Sequence, residues 1–368
     1  MAKISVCYIV KNEARFIEAS LRSLCPIADE ILVYDTGSTD NSLEILSRLS
    51  SEISFLKVGQ MTWPNHFSEA RNFVTEQAKY DWIFFVDGDE VLEPKDQNKI
   101  LSSAQSNEAD SFGVIQRNYT RQTDLDALKK ANFTPPGISK TDDLFFFDNY
   151  MERLFNRATG LRYEGRIHES LLPCSKKLKL KHKNLDVVLH HYGRLKENQN
   201  EKNQIYLPLS QKKLEEEPEN PVAWIEYAIN LMAVDQKDAA LKTMSVATQK
   251  FPKVDLVWKT AYQTALRCNA FALAETWIDK YLEFQPQDLY SLTQRTTALL
   301  YQGKFDECEE LAQSLLAKDS NNFICHLNLG VLYFEKKEFS DSKKHLEIAL
   351  DLRPSDPFLI SALKKFQD

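Results

Sequence analysis

Three prolines, Pro218, Pro252 and Pro286, stand 34 residues apart, and Pro354 follows two further periods on, with Ser320 at the intermediate place. A fixed period of this length in a stretch with no strand pattern restricts the second half of the chain to one kind of architecture. Each period is a helix pair that cannot bury its apolar face alone, so successive pairs must stack into a solenoid. With Pro252 as the end of one period, Trp224, Tyr227, Ala228, Leu231, Ala240 and Ala247 occupy recurring places in the first. Trp258, Ala261, Tyr262, Ala265 and Ala274 follow in the next, and Leu329, Gly330, Tyr333 and Ala349 in the last. Small residues at such places let paired helices approach closely. Residues 196–220 match only a second helix and are expected to be a linker and cap. Residues 221–368 are the repeats, with Pro357 to Phe366 as the terminal cap.

The first 195 residues follow a different rule. Ile4 to Val10, Glu30 to Tyr34, Ile53 to Val58 and Trp82 to Val86 are short apolar runs that read as strands. Between them lie helical patterns that start at Asn12 or Glu13, after Asp40, and at His66. Asp40 reads as the N-cap of its helix. Strands separated by helices imply right-handed crossovers and a parallel sheet. The run Trp82-Ile-Phe-Phe-Val86 ends abruptly in Asp87-Gly-Asp-Glu90. Carboxylates two apart around a glycine, at the end of a buried strand, suit a hard cation and a diphosphate at the mouth of the sheet. Neither GxGxxG nor GxxxxGK[ST] follows any strand, which removes the dinucleotide-binding and P-loop readings.

A net charge of −7 argues against a general nucleic-acid binder. No apolar run approaches the length of a membrane span, and the opening MAKISVCYIVKNE enters a strand pattern directly, so a cytoplasmic protein without a signal peptide is expected. The six cysteines show no CxxC spacing and are expected to be free thiols.

The succession YIVKNEARFIEASLRSL, ILVYDTGSTDNS, FSEARNFV and WIFFVDGDE resembles the amino-terminal half of family 2 glycosyltransferases of GT-A fold. The 34-residue period is the length of tetratricopeptide repeats. Together these imply a GT-A α/β catalytic domain over 1–195 followed by an all-α repeat solenoid. The resemblance implies a nucleotide-diphosphate sugar donor, expected to be a UDP-sugar, and a divalent cation, Mn2+ or Mg2+. Asp35 would contact the uracil and Arg71 the nucleotide or diphosphate, with Asp87 and Asp89 serving ribose and metal. Lys11, Asn12 and Glu13 would shape the nucleotide pocket.

Further on, Ser111 to Tyr119, Phe145 to Phe147 and Glu152 to Arg157 read as strands, and RLF followed by GRIHE is similar to the repeat-bearing branch of these enzymes. An inverting transfer needs a base within reach of the acceptor. Glu169 is the first candidate and His168 the second, the two expected on opposite faces of an extended segment. Lys176 to Lys183 alternates lysine with leucine and reads as a solvated edge strand, or as a lysine face for acidic acceptors or lipid headgroups. In the following His190-His191-Tyr-Gly193, similarity to GT-A enzymes makes His191 the expected third protein metal ligand, with His190 as fallback. The resemblance to peptide S- and O-glycosyltransferases and to repeat-bearing lipopolysaccharide core glycosyltransferases leaves two acceptors open: a polypeptide, or a lipid-linked or cell-surface glycan. The repeats would bind that acceptor or form a homodimer.

Overall fold

The computed structural model describes residues 2–106, 108–121, 128–136, 138, 144–195, 199–354 and 356–366, without the side chains of 199–203. It contains two compact units, Met1–Leu209 and Ser210–Asp368.

The first unit is built on one mixed sheet with the strand order β3-β2-β1-β4-β8-β6-β9-β5, and β7 paired to β8. β1 (Ile4–Val10), β2 (Glu30–Asp35), β3 (Leu56–Gln60) and β4 (Trp82–Phe85) run parallel. The crossovers are α1 (Ile17–Leu24), α2 (Ser42–Glu52) and α3 (Phe67–Gln77). β1 lies between β2 and β4 and is buried on both faces. Ile4, Val6, Tyr8 and Val10 pack with Ile17, Leu21 and Leu24, while Cys7 packs with Leu32 and Phe85 on the other side. This explains why the strand shows no polar alternation. Its register pairs Val10 with Asp35 and Cys7 with Phe85, so the loops after β1, β2 and β4 open at one edge.

The remainder of the unit adds β5 (Glu90–Leu92), α4 (Gln97–Gln105), β6 (Ser111–Thr120), β7 (Lys129–Lys130), β8 (Phe145–Asn156), α5 (Leu172–Leu178) and β9 (His182–His191). Helix α6 (Gln199–Glu216) follows.

Several local expectations are corrected. α1 begins at Ile17, not Asn12 or Glu13, because Asn12 adopts a left-handed φ of 58° and the Glu13 carbonyl closes a turn onto Phe16 and Ile17. Ile53 terminates α2 and enters the core from there, so β3 starts only at Leu56. The two strands read around residues 145–157 are one 12-residue strand, held through its polar middle by pairing with the full length of β6. The lysine–leucine alternation is not an edge strand. Pro173 lies in the first turn of α5, Lys179 closes that helix at φ 55°, and β9 lies between β6 and β5. Polar alternation over so few residues cannot distinguish a helix end from a strand. Thr120 to Asp143, with Pro135-Pro136-Gly137, reads from sequence as an irregular insertion, and residues 122–127, 137 and 139–143 of it lie outside the described residues.

The second unit contains α7 (Pro221–Ala233), α8 (Lys237–Lys250), α9 (Asp255–Arg267), α10 (Phe271–Leu282), α11 (Leu289–Tyr301), α12 (Phe305–Leu316), α13 (Phe323–Glu335), α14 (Phe339–Leu352) and α15 (Pro357–Lys364). The period has a structural cause. The Trp224 indole donates to the Pro218 carbonyl at 2.9 Å and Trp258 to that of Pro252 at 3.1 Å. At the equivalent place two periods on, His326 Nε2 meets the Ser320 carbonyl at 3.0 Å. Gly330 is small for a packing reason, since a Cβ there would meet Leu346 Cδ2 at 2.6 Å.

Candidate active site

Asp35 ends β2 with its carboxylate buried. Oδ1 accepts from the backbone N–H groups of Gly37 and Ser38 at 2.9 and 3.0 Å, which fixes the turn that follows. Oδ2 is buried with no hydrogen-bond partner among the described residues. A buried acceptor left open in this way costs stability and is suited to a ligand donor. The loop after β1 lies against this turn. Asn12 N–H donates to Ser38 Oγ, Thr39 N–H to Asn12 Oδ1, and Glu13 N–H to Ser42 Oγ. Asp40 ties the same two loops, accepting from Ala14 N–H and Ser42 N–H. It is therefore a loop clamp one residue ahead of Asn41, the helix N-cap, and not the cap itself. Lys11 is exposed at the rim. A Cβ on Gly88 would meet Glu13 Cγ at 2.7 Å, so the β1 loop and the turn after β4 can touch only through glycine.

Asp87 is held by two arginines from different elements. Oδ1 accepts from Arg71 Nη2 of α3 at 2.8 Å, and Oδ2 from Arg153 Nη2 of β8 at 2.7 Å. Burial works to raise the Asp87 carboxyl, but the two guanidinium groups outweigh it and hold the group well below the usual carboxylate range. The same Arg153 nitrogen donates to Glu90 Oε1 at 2.6 Å, and Glu90 Oε2 accepts from the Asp87 N–H at 2.9 Å. Glu90 is fully buried, and that burial pushes its carboxyl up. Glu90 thus braces the acidic turn from behind.

Arg71 lies over the rings of Phe85 and Tyr163, 4.6 and 5.4 Å from their centroids. Its Nε donates to Glu169 Oε1 at 2.5 Å, while Nη1 is buried without a partner among the described residues. His168 is exposed, and its φ of 51° puts it in a tight turn, not the extended segment expected.

Asp89 faces His191. The carboxylate Oδ1 is 3.5 Å from His191 Nε2, and His191 Nδ1 is 2.7 Å from Asn118 Oδ1. An amide oxygen can only accept, so Nδ1 carries a proton and Nε2 is the nitrogen that faces Asp89. Gly193 leaves the room: a Cβ there would lie 2.7 Å from His191 Nε2 and 2.9 Å from Asp89 Oδ2. The set fits a divalent cation that takes two protein ligands and completes its shell from a substrate diphosphate and water. Among the described residues no group of three His, Cys, Asp or Glu side chains is gathered around one point. His190 turns the other way and is fully buried, with Nδ1 2.8 Å from the Tyr119 hydroxyl and Nε2 2.9 Å from Glu93 Oε2. The alternation follows from the β5 pairing, which sets His191 opposite Glu90 and His190 opposite Val91.

The structure thus gathers Asp35, Arg71, Asp87, Asp89, Glu169 and His191 at the strand ends, and leaves Lys11, His168 and His190 without such an inward role. Arg153, Asn118 and Gly193 join the gathered residues, and no local sequence signal marks these three. Arg153 was hidden inside an apparently short strand, and Asn118 is recognisable only once β6 and β9 pair.

Residues 5–164 match the family model described as Glycosyl transferase family 2. They are a family 2 glycosyltransferase domain. The chain is similar to the prophage-derived glycosyltransferase SunS of Bacillus subtilis, 25% identical over 246 residues that cover 67% of this chain and 53% of SunS. The chain therefore spans about half of that relative's length. An uncharacterised glycosyltransferase of Rickettsia bellii is 34% identical over 114 residues, 31% of this chain and 37% of that protein. Among solved structures, YrrB, described as a TPR protein with an unusual peptide-binding site, is similar with a TM-score of 0.38 and 18% identity. The match covers 45% of this chain and 84% of YrrB. The transferase domain is followed by tetratricopeptide repeats, and no described helix is long and apolar enough to cross a membrane.

Proposed function

We propose that the chain is an inverting, metal-dependent hexosyltransferase that moves a sugar from a UDP-sugar to a polypeptide acceptor. The observation that carries the reading is the Asp89–His191 pair, given its space by Gly193 and its orientation by Asn118. The open Oδ2 of Asp35, a pure acceptor, suits the imide N–H of uracil. Asp89 and His191 would hold Mn2+ or Mg2+, which when bound supplies positive charge for the departing diphosphate. The buried guanidinium of Arg71 adds donors on the same side.

Glu169 takes the acceptor proton on Oε2 while Arg71 fixes its other oxygen. The acceptor's electron pair forms the new bond to the anomeric carbon as the bond to the diphosphate breaks on the opposite face, and UDP leaves. His168, exposed beside it, is the reserve base. The repeat unit supports a polypeptide acceptor, because stacked helix pairs expose an extended surface of the kind peptides occupy. A lipid-linked or cell-surface glycan is the alternative.

The test is thermal stabilisation by a panel of nucleotide sugars with and without Mn2+. A UDP-sugar is expected to raise Tm only with the cation, and Asp89→Ala to abolish the rise. Equal stabilisation of both proteins without cation would overturn the reading.

A further inference from the structure

The first part of helix α6, expected from sequence to be a linker and cap, belongs to the first unit as far as Leu209 and carries Tyr206 to the site. The ring of Tyr206 packs on two others: Phe67 at the start of α3, centroid to centroid 5.7 Å, and His168 at 6.0 Å. Phe67 opens the helix that supplies Arg71, and its N–H donates to the Arg166 carbonyl at 2.9 Å, in the GRIHE segment. His168 immediately precedes Glu169 and sits at a left-handed φ of 51°, a conformation costly for a residue with a Cβ that persists only where its surroundings impose it. Tyr206 packs against His168 and Phe67 together.

We propose that Tyr206 is a positioning residue for Glu169: its ring holds the His168 turn against α3 and so keeps the carboxylate at the acceptor. The inference rests on Glu169 acting as the base. The Tyr206 hydroxyl is raised well above its ordinary value, chiefly by burial and then by the charge of Glu169, with Asp87 and Asp89 adding to it and Arg71 opposing, so it remains a neutral phenol among the charges of the site. The contact that matters is the ring. The geometry needed for proton abstraction is narrow, and displacing a base by about 1 Å can cost ~10²-fold in rate.

The experiment compares Tyr206→Phe and Tyr206→Ala in the full chain by UDP affinity with Mn2+, Tm, and kcat and KM for transfer. Tyr206→Phe is expected to match wild type. Tyr206→Ala is expected to lose about 10- to 100-fold in kcat, with UDP affinity kept within about twofold because Asp35, Asp89 and His191 are untouched. Normal kcat in Tyr206→Ala would overturn the inference. So would a parallel loss of UDP affinity or of folding, which marks a merely structural role, or a loss in Tyr206→Phe equal to that in Tyr206→Ala, which assigns the effect to the hydroxyl. Failure of the underlying reading looks different: wild type then shows no cation-dependent UDP binding, or Glu169→Gln transfers sugar normally.

Discussion

Arg71 donates from Nε to Glu169 and from Nη2 to Asp87, so one buried guanidinium couples the proposed base to the acidic turn after β4. The two carboxylates come from segments far apart in sequence, and each depends on the same cation. Removing that cation is expected to do more harm than removing either acid. Arg71→Ala leaves Asp87 to Arg153 alone and Glu169 uncompensated, at a cost of about 3–5 kcal/mol in stability. Glu169→Gln keeps an acceptor oxygen for Arg71, and its Tm should remain close to wild type while transfer falls by about 10²–10⁴-fold. Thermal melts and initial rates on both variants check the pair of expectations. An Arg71→Ala protein as stable as wild type would show that the network is not a structural unit.

Gly193 offers a test confined to the proposed cation pocket. Its added methyl would meet His191 Nε2 at 2.7 Å and Asp89 Oδ2 at 2.9 Å, and the His191 ring is held by Asn118. Gly193→Ala should therefore fold, bind UDP weakly, and lose most of the Mn2+ enhancement of that binding. Asn118→Ala should act on the same quantity through the histidine tautomer, weakening the cation by about 10- to 100-fold. Titration calorimetry of UDP at several Mn2+ concentrations measures both. Undiminished cation enhancement in Gly193→Ala would place the metal elsewhere.

In the repeats, His326 and His345 meet Nδ1 to Nδ1 at 2.9 Å between α13 and α14. Burial first, then the charges of His326 and Lys344, hold His345 below its ordinary value, with Asp341 opposing. The unfolded chain therefore takes up this proton more readily than the folded one. The contribution to stability is complete above pH about 6.5 and declines as pH falls below it. Tm should fall on acidification from pH 7.5 to 5.5, and should fall less in His345→Gln. Identical pH profiles for the two proteins would exclude His345 as the titrating group.

What was legible in the sequence follows the range of the forces involved. β1 and β4 declare themselves through continuous burial, and the repeats through a period that the Trp224–Pro218 and Trp258–Pro252 hydrogen bonds repeat in space. The acidic turn shows in the sequence as Asp87 and Asp89, but nothing local gives Glu90 a role. Its function as a buried brace depends on Arg153 and Gln116, 63 and 26 residues away. Arg153 in turn could not be placed while β8 was divided into two strands. The lysine–leucine alternation shows the opposite: Pro173 in the first turn of α5 and the left-handed Lys179 override a local strand pattern. Local periodicity was readable; side chains joined through paired strands were not.

The choice of nucleotide turns on Asp35. Its Oδ1 is committed to the Gly37 and Ser38 N–H groups, and Oδ2 is buried and open, so the two oxygens have separable tasks. Asp35→Asn can keep the turn with its remaining oxygen while presenting an amide N–H where Oδ2 stood. Two donors would then confront each other at the uracil imide, and a charged hydrogen bond worth about 1.5–3 kcal/mol would be lost. UDP affinity should fall about 10- to 100-fold, with Tm in the absence of nucleotide unchanged or slightly higher, because an uncompensated buried charge has been removed. Cytidine diphosphate supplies the control, since its ring nitrogen at the same place is an acceptor and its affinity should fall less or rise. An Asp35→Asn protein that keeps full UDP affinity would move the base-recognition site away from the end of β2.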